Sequence, residues 1–191
     1  MTKIYDIHSY KGGVGVTTTA CSLALTLTEK GKVLLVDSGY SCDTYAWLGL
    51  GEPTHRKGEI HEGVFENLDI VRLGDSEKFP TVTAKTYDFV VIDNGRNSSQ
   101  EFPTDFITER VCVVRNDYLT LRNTANRFAK SELLVAFVTE GAALTARDIC
   151  SVLGREPVEA LVNNNSQRAI DAGLAPMRLK AQFGWASSLA E

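Results

Sequence analysis

The stretch Lys3-Ile-Tyr-Asp-Ile-His-Ser-Tyr-Lys-Gly-Gly-Val-Gly-Val-Thr-Thr-Thr-Ala20 decides the fold. Lys3–His8 sets Ile4 and Ile7 beside Tyr5 and reads as a strand. A glycine-rich turn follows at Gly12–Gly15. Thr17–Glu29 then has helical spacing, with Ala20, Leu23, Ala24 and Leu27 on one face. Gly31 stands where a helix stop is expected.

A glycine loop between a strand and a helix is the context of a phosphate-binding loop. The glycines let backbone N–H groups turn inward around phosphate oxygens. The helix start near Thr17 aims its positive dipole end at the same place. We therefore assign nucleotide binding to Lys11, Gly12, Gly13, Val14, Gly15, Val16, Thr17 and Thr18, with the Thr17 hydroxyl in the Mg²⁺ position. The plain alternative is a strand–helix turn that holds no ligand.

Working outward, strand and helix patterns alternate. Lys32–Asp37 (KVLLVD) is a continuous apolar run, as in a strand buried on both faces. Cys42–Leu48 reads as a short helix and Gly49–Gly63 as an exposed polar loop. Leu68–Leu73, Tyr87–Asp93 and Arg110–Arg115 read as strands. Leu119–Lys130 reads as a helix, Leu133–Val138 as a strand, and Thr145–Leu153 as a helix stopped by Gly154. Val158–Val162 is a last short strand, and the tail from Ser166 onward is expected to be helical. This alternation predicts one α/β domain over residues 1–191: a mainly parallel sheet with helices on both faces, with the phosphate loop after the first strand. Ligands in such sheets sit at the carboxyl ends of the strands.

The chain has 191 residues, 43% hydrophobic and 23% charged, and a formal net charge of −4. That balance argues against overall attraction to nucleic acid or anionic lipid. No apolar leader or membrane-length run is visible, so a cytoplasmic protein is expected. Cys21, Cys112 and Cys150 lie in apolar runs and are expected to be buried reduced thiols. Cys42 reads as a loop thiol. His8, His55 and His61 show no metal-ligand spacing, and His61 is expected to be solvated.

The usual loop ends Gly-Lys-Ser/Thr, but here it ends Gly15-Val16-Thr17. A lysine there would reach the β- and γ-phosphates. Losing a charge-assisted hydrogen bond costs about 1.5–3 kcal/mol, roughly ten- to a hundredfold in affinity.

KGGVGVTTTA resembles the deviant Walker A box of the ParA/MinD family of P-loop ATPases, usually KGGxGK[ST]T. The resemblance makes Lys11 the early signature lysine, which in that family crosses a dimer interface to the partner's nucleotide. KVLLVDSGYS is similar to the family's VLLVDxDPQ segment, so Asp37 is the aspartate near the Mg²⁺ shell. The second, water-orienting aspartate falls at Gly39, and Tyr40 and Ser41 replace Pro-Gln. TYDFVVIDNG resembles the Walker B strand, with Asp93 linked to Mg²⁺. RVCVVRNDYLTLRNT and LGREPVEALVNNNSQRAIDAGL are similar to later family segments. The resemblance thus implies ATP or ADP with Mg²⁺ as cofactor and Thr17, Asp37 and Asp93 around the metal.

The paired departures at Val16 and Gly39 imply a degenerate site with little or no ATPase activity. The implied role is DNA partition or cargo positioning, on a plasmid or phage. One alternative is an active ATPase using Lys11 in cis or across a homodimer. Another is a nucleotide-free regulator that pairs with a genuine ParA-type protein. A ParB-like or other protein partner is implied by the same resemblance. Arg147, Arg155, Arg168, Arg178 and Lys180 form a candidate patch for non-specific DNA, against the plainer reading of dispersed solvated charge. Base contacts in the family come from segments that fall here near Thr139–Glu140 and Asn163–Asn165, and neither matches well. Met177–Leu189 is expected to dock on the domain and not on a membrane, since it has few basic residues and contains Gly184.

Overall fold

The structure is a computed structural model that describes residues 2–39, 43–54, 56–73, 86–95, 107–161 and 184–191. Among these residues eight strands form one sheet: β1 (Lys3–His8), β2 (Val33–Asp37), β3 (Ile60–Phe65), β4 (Leu68–Arg72), β5 (Phe89–Asp93), β6 (Glu109–Arg115), β7 (Leu133–Val138) and β8 (Val158–Leu161). Their order is β3-β4-β2-β5-β1-β6-β7-β8. Every pairing is parallel except β3 with β4. The chain runs from β1 to β2 on one side and from β5 to β6 on the other. That reversal opens a crevice beyond the carboxyl ends of β1, β5 and β6, where such sheets bind ligands.

Continuous apolar sequence explains the central strands. β2 is buried along its whole length, as KVLLVD requires of a strand covered on both faces. Alternate residues divide between the faces. Tyr5 and Ile7 of β1 join Val33, Leu35 and Val91 in a core that also holds Leu23, Ala24 and Leu27 of α1 (Val16–Leu27). Ile4, Leu34, Val36, Val90 and Ile92 form a second core on the opposite face. Cys112, Val114, Leu134 and Ala136 form a third, packed by Leu121 of α3 (Tyr118–Ala125) and by Ile149 and Leu153 of α4 (Ala146–Leu153). A short helix α2 (Asp43–Leu48) packs Tyr45, Trp47 and Leu48 into the first core.

Local chemistry sets the helix ends. Thr145 and Asp148 form a reciprocal capping box at α4, and Gly154 ends it with φ 69°. Asp117 caps α3 by accepting from the Thr120 backbone N–H at 2.9 Å.

Several expectations shift. The predicted loop 49–63 contains most of β3, an antiparallel edge strand. Its side chains are largely half-buried or exposed, so no apolar alternation marked it. His61 accordingly lies on a strand and stacks on Tyr45, with ring centroids 6.1 Å apart, instead of standing in solvent. The helix predicted to reach Lys130 stops at Ala125. Beyond it the chain turns so that Phe128 packs against the third core. Cys21 and Cys112 are buried, whereas Cys150 is only half-buried and donates its thiol to Glu156 Oε2. No helix among the described residues is long and apolar enough to cross a membrane. From the predicted tail, residues 184–189 form a 3₁₀ turn. It docks Leu189 and Ala190 into the first core, and Lys30 Nζ donates to the Ala190 carbonyl at 2.8 Å. The remaining tail, Tyr40, Ser41, Cys42, His55, Asn163–Asn165, Arg168, Arg178 and Lys180 lie outside the described residues.

Candidate functional site

The glycine loop sits in the crevice that the topology opens. Gly13 and Gly15 have φ 74° and 109°, a left-handed region that glycine enters without a Cβ penalty. Between them Val14 is buried to 1% exposure in the first core and pins the loop. The first turn of α1 closes when the Thr19 N–H and hydroxyl both donate to the Gly15 carbonyl at 2.9 Å. No side chain caps this helix start. Its leading N–H groups therefore remain available to an anion. Val16 leaves the loop toward the first core and packs there half-buried.

Behind the loop stands Phe137, at the end of β7. A Cβ on Gly15 would meet its ring at 2.7 Å. Trp185 holds that ring edge-on, with centroids 5.7 Å apart.

Two carboxylates lie beneath the loop. Asp37 and Asp93 end neighbouring parallel strands and are register partners. Both are buried, at 1% and 2% exposure. Asp37 is well supported: Thr44 donates its hydroxyl to Oδ2, and the Gly39 N–H donates to Oδ1 at 2.9 Å. Burial nonetheless raises its pKa, against those hydrogen bonds. Asp93 receives a hydrogen bond from Thr17, but its Oδ1 has no hydrogen-bond partner among the described residues. Burial, then the charge of Asp37, pushes its pKa from 3.8 up to about 7. Two like charges in a dry site with one orphaned oxygen make a poor resting state for the protein alone. A divalent cation would neutralise them, so Thr17, Asp37 and Asp93 fit a Mg²⁺ shell of hard oxygen donors. The buried Cys21 thiol beneath them is pushed well up, by burial first and then by the same two carboxylates.

Gly39 lies beside this pair. A Cβ there would stand 3.3 Å from Asp37 Oδ1, and Gly95 approaches Gly39 across the gap. The position assigned to a water-orienting aspartate thus carries backbone only.

Three flanking groups were not foreseen from sequence. Thr44 reaches Asp37 from α2, seven residues on. Arg115, at the end of β6, places Nη1 3.5 Å from the Gly13 carbonyl and brings a guanidinium to the loop. Asp117 sits 4.0 Å from Lys11 Nζ in the same chain. Burial opposes ionisation of Asp117, but hydrogen bonds from Thr120 and the Lys11 charge hold its carboxyl below the ordinary value. Both side chains of that ion pair are over 30% exposed, so the pair contributes about 0–1 kcal/mol and leaves Lys11 free to swing.

Of the candidate basic patch, Arg147 is exposed and Arg155 half-exposed, near α4. Arg155 Nη1 donates to the Lys130 carbonyl at 2.6 Å, which brings Lys130 beside it.

No family model matches the chain. An uncharacterized ATP-binding protein of Methanocaldococcus jannaschii is 28% identical over 189 residues, spanning 83% of this chain and 70% of that protein. Among solved structures, the MinD cell division protein of Aquifex aeolicus superposes with TM-score 0.76 at 18% identity, covering 99% of this chain and 97% of that one. A ParA family ATPase from Chlorobium tepidum gives TM-score 0.70 at 16% identity, covering 97% of both chains. A putative plasmid partition protein of Borrelia burgdorferi, bound to AMPPNP, gives 0.62 at 15% identity over both full lengths. The fold is therefore that of the ParA/MinD P-loop NTPases, as the resemblance of the Lys11–Thr18 box implied, with the mainly parallel sheet that the strand alternation predicted.

Proposed function

We propose that the chain is a degenerate ParA/MinD-like protein whose loop holds Mg²⁺-ATP or Mg²⁺-ADP weakly and hydrolyses ATP little or not at all. The observation that carries the reading is the buried Asp37–Asp93 pair with its orphaned Oδ1, set under an uncapped helix start and a loop with Val16 in place of lysine. The cation seat is built, while the phosphate grip is weakened. Bound Mg²⁺-nucleotide would supply the positive charge that the pair lacks.

The protein's own part is definable. Backbone N–H groups of the loop and of the α1 start would donate to phosphate oxygens. Thr17, Asp37 and Asp93 would hold the cation, and Thr44 orients Asp37. No side chain at Gly39 holds an attacking water, and no lysine at position 16 neutralises charge developing on the γ-phosphate.

The biological reading, partition or positioning of DNA or a protein cargo, rests on the family resemblance. A homodimer through the loop face is supported by Tyr118 and Leu119, which stand 69% and 50% exposed beside Asp117. Arg147, Arg155 and Lys130 offer the described part of a DNA-facing surface.

A second reading keeps an active ATPase, with Lys11 supplying the missing charge. Its exposed, loosely paired ammonium favours that reading. Calorimetric titration with Mg²⁺-ATP and Mg²⁺-ADP tests the site, with micromolar or weaker binding expected. Multiple-turnover phosphate release at an ordinary ParA rate overturns the degenerate reading. If that release disappears in Lys11→Ala, the second reading replaces it. Retardation of a random duplex should weaken steeply with salt, and no shift at low salt removes the direct DNA role.

A further inference from the structure

His8, Cys112 and Glu132 are far apart in sequence but meet on the sheet face opposite α1. β1 puts Ile7 under α1, so its neighbour His8 turns the other way, beside its register partner Cys112 on β6. Glu132 arrives from the turn that enters β7. All three are buried, at 6%, 0% and 3% exposure. An imidazole nitrogen, the thiol sulfur and a carboxylate oxygen lie within 4.8 Å of one another.

The arrangement is poorly satisfied as a hydrogen-bond network. His8 Nε2 and Glu132 Oε2 are 3.3 Å apart, yet among the described residues neither has a well-formed hydrogen bond. Arg110 accounts for the other carboxylate oxygen, with Nη1 3.6 Å from Oε1, and its Nε is 3.4 Å from Asp6 Oδ2. Glu132 is thereby held with one oxygen engaged and the other aimed at His8. Two N or O ligands at about 2.0–2.1 Å from a tetrahedral zinc ion stand about 3.3 Å apart, the separation seen here.

We propose that His8 Nε2, Cys112 Sγ and Glu132 Oε2 form a binding site for a zinc-class transition-metal ion, with water in the fourth position. The donor set is imidazole, thiolate and carboxylate. It suits Zn²⁺ or Co²⁺ and disfavours Mg²⁺ and Ca²⁺, which take oxygen ligands. Binding replaces the thiol proton by the metal, and the dication is balanced by one thiolate and one carboxylate. Arg110 acts as the outer support that orients the carboxylate. The site is distinct from the Asp37–Asp93 pair, which lies at the ends of β2 and β5. It ties β1, β6 and the entry to β7 together at the residue where β1 ends, three positions before Lys11.

The test uses tag-free, chelator-treated full chain titrated with Co²⁺ alone. One ion per chain is expected, with a thiolate-to-cobalt charge-transfer band and the visible bands of tetrahedral cobalt, and Zn²⁺ should displace both. Cys112→Ser should abolish the charge-transfer band, and Glu132→Gln should weaken uptake at least tenfold. Mg²⁺ should leave the spectrum unchanged. Absence of the band in the wild-type chain, or its persistence in Cys112→Ser, overturns the proposal. Should the variants fold poorly, the wild-type melting temperature decides. It should rise with equimolar Zn²⁺ and fall back with chelator, and an unmoved melting point overturns the site.

Discussion

Asp93→Asn should make the ligand-free protein more stable at pH 8 and bring no gain at pH 5. Asp93 is buried beside Asp37, and its pKa rises from 3.8 to about 7. A carboxyl raised that far favours its protonated form in the folded chain. The folded state then binds more protons than the unfolded state between those two values. Stability therefore falls as pH climbs from 3.8 toward 7 and levels off above. The full displacement corresponds to about 4 kcal/mol, an upper bound because such sites relax. An asparagine removes the charge but leaves an amide to satisfy, which costs about 1–3 kcal/mol. A net gain of roughly 1–3 kcal/mol at pH 8 is about 2–12 °C in melting temperature for a chain of this size. The assay is thermal unfolding of both proteins across pH 5–8, with and without Mg²⁺. Wild type should gain stability from Mg²⁺ at pH 8, and Asp93→Asn should gain less. A variant destabilised equally at both pH values refutes the reasoning, because Asp93 would then be a satisfied structural carboxylate.

Other expectations concern the loop. Val16→Lys should tighten Mg²⁺-ADP binding roughly ten- to a hundredfold by restoring a charge-assisted bond; unchanged affinity by calorimetry would mean the loop is not a phosphate site. Arg115→Ala should weaken that binding about tenfold, since its guanidinium stands at the Gly13 carbonyl, with the melting temperature little changed. Gly15→Ala should destabilise the fold by about 1–3 kcal/mol, through strain at φ 109° and a collision with the Phe137 ring, and should show as a lower melting temperature.

The sequence carried the fold where burial was extreme. β2, β5, β7 and the centre of β6 announce themselves because strands covered on both faces must be apolar along their buried length. β3 stayed hidden because an edge strand with polar neighbours needs no such pattern. The end of α3 was misplaced for a tertiary reason: Phe128 is drawn to the third core, although Leu119–Lys130 has helical composition. In the candidate site, Thr17, Asp37 and Asp93, singled out by the loop motif and the family resemblance, come together at the ends of neighbouring strands. Thr44, Arg115 and Asp117 were not singled out, because their roles arise from distances across the sheet top. His8, Cys112 and Glu132 were invisible for the same reason, since only strand register brings His8 beside residues more than a hundred positions away.

Gly39 and Val16 are paired departures from the family pattern in the sequence, and the geometry gives a reason for the pairing. A side chain at Gly39 would begin 3.3 Å from Asp37 Oδ1. An aspartate there would add a third negative charge to a pair that already resists ionisation. Without a lysine at position 16, the loop has only Lys11, already paired with Asp117, to answer that charge. The two departures subtract one positive and one negative charge together and leave the local balance unchanged. Restoration is therefore ordered: the lysine can return alone, whereas the aspartate is tolerable only after it. A catalytic aspartate introduced first would work against the seat it is meant to serve.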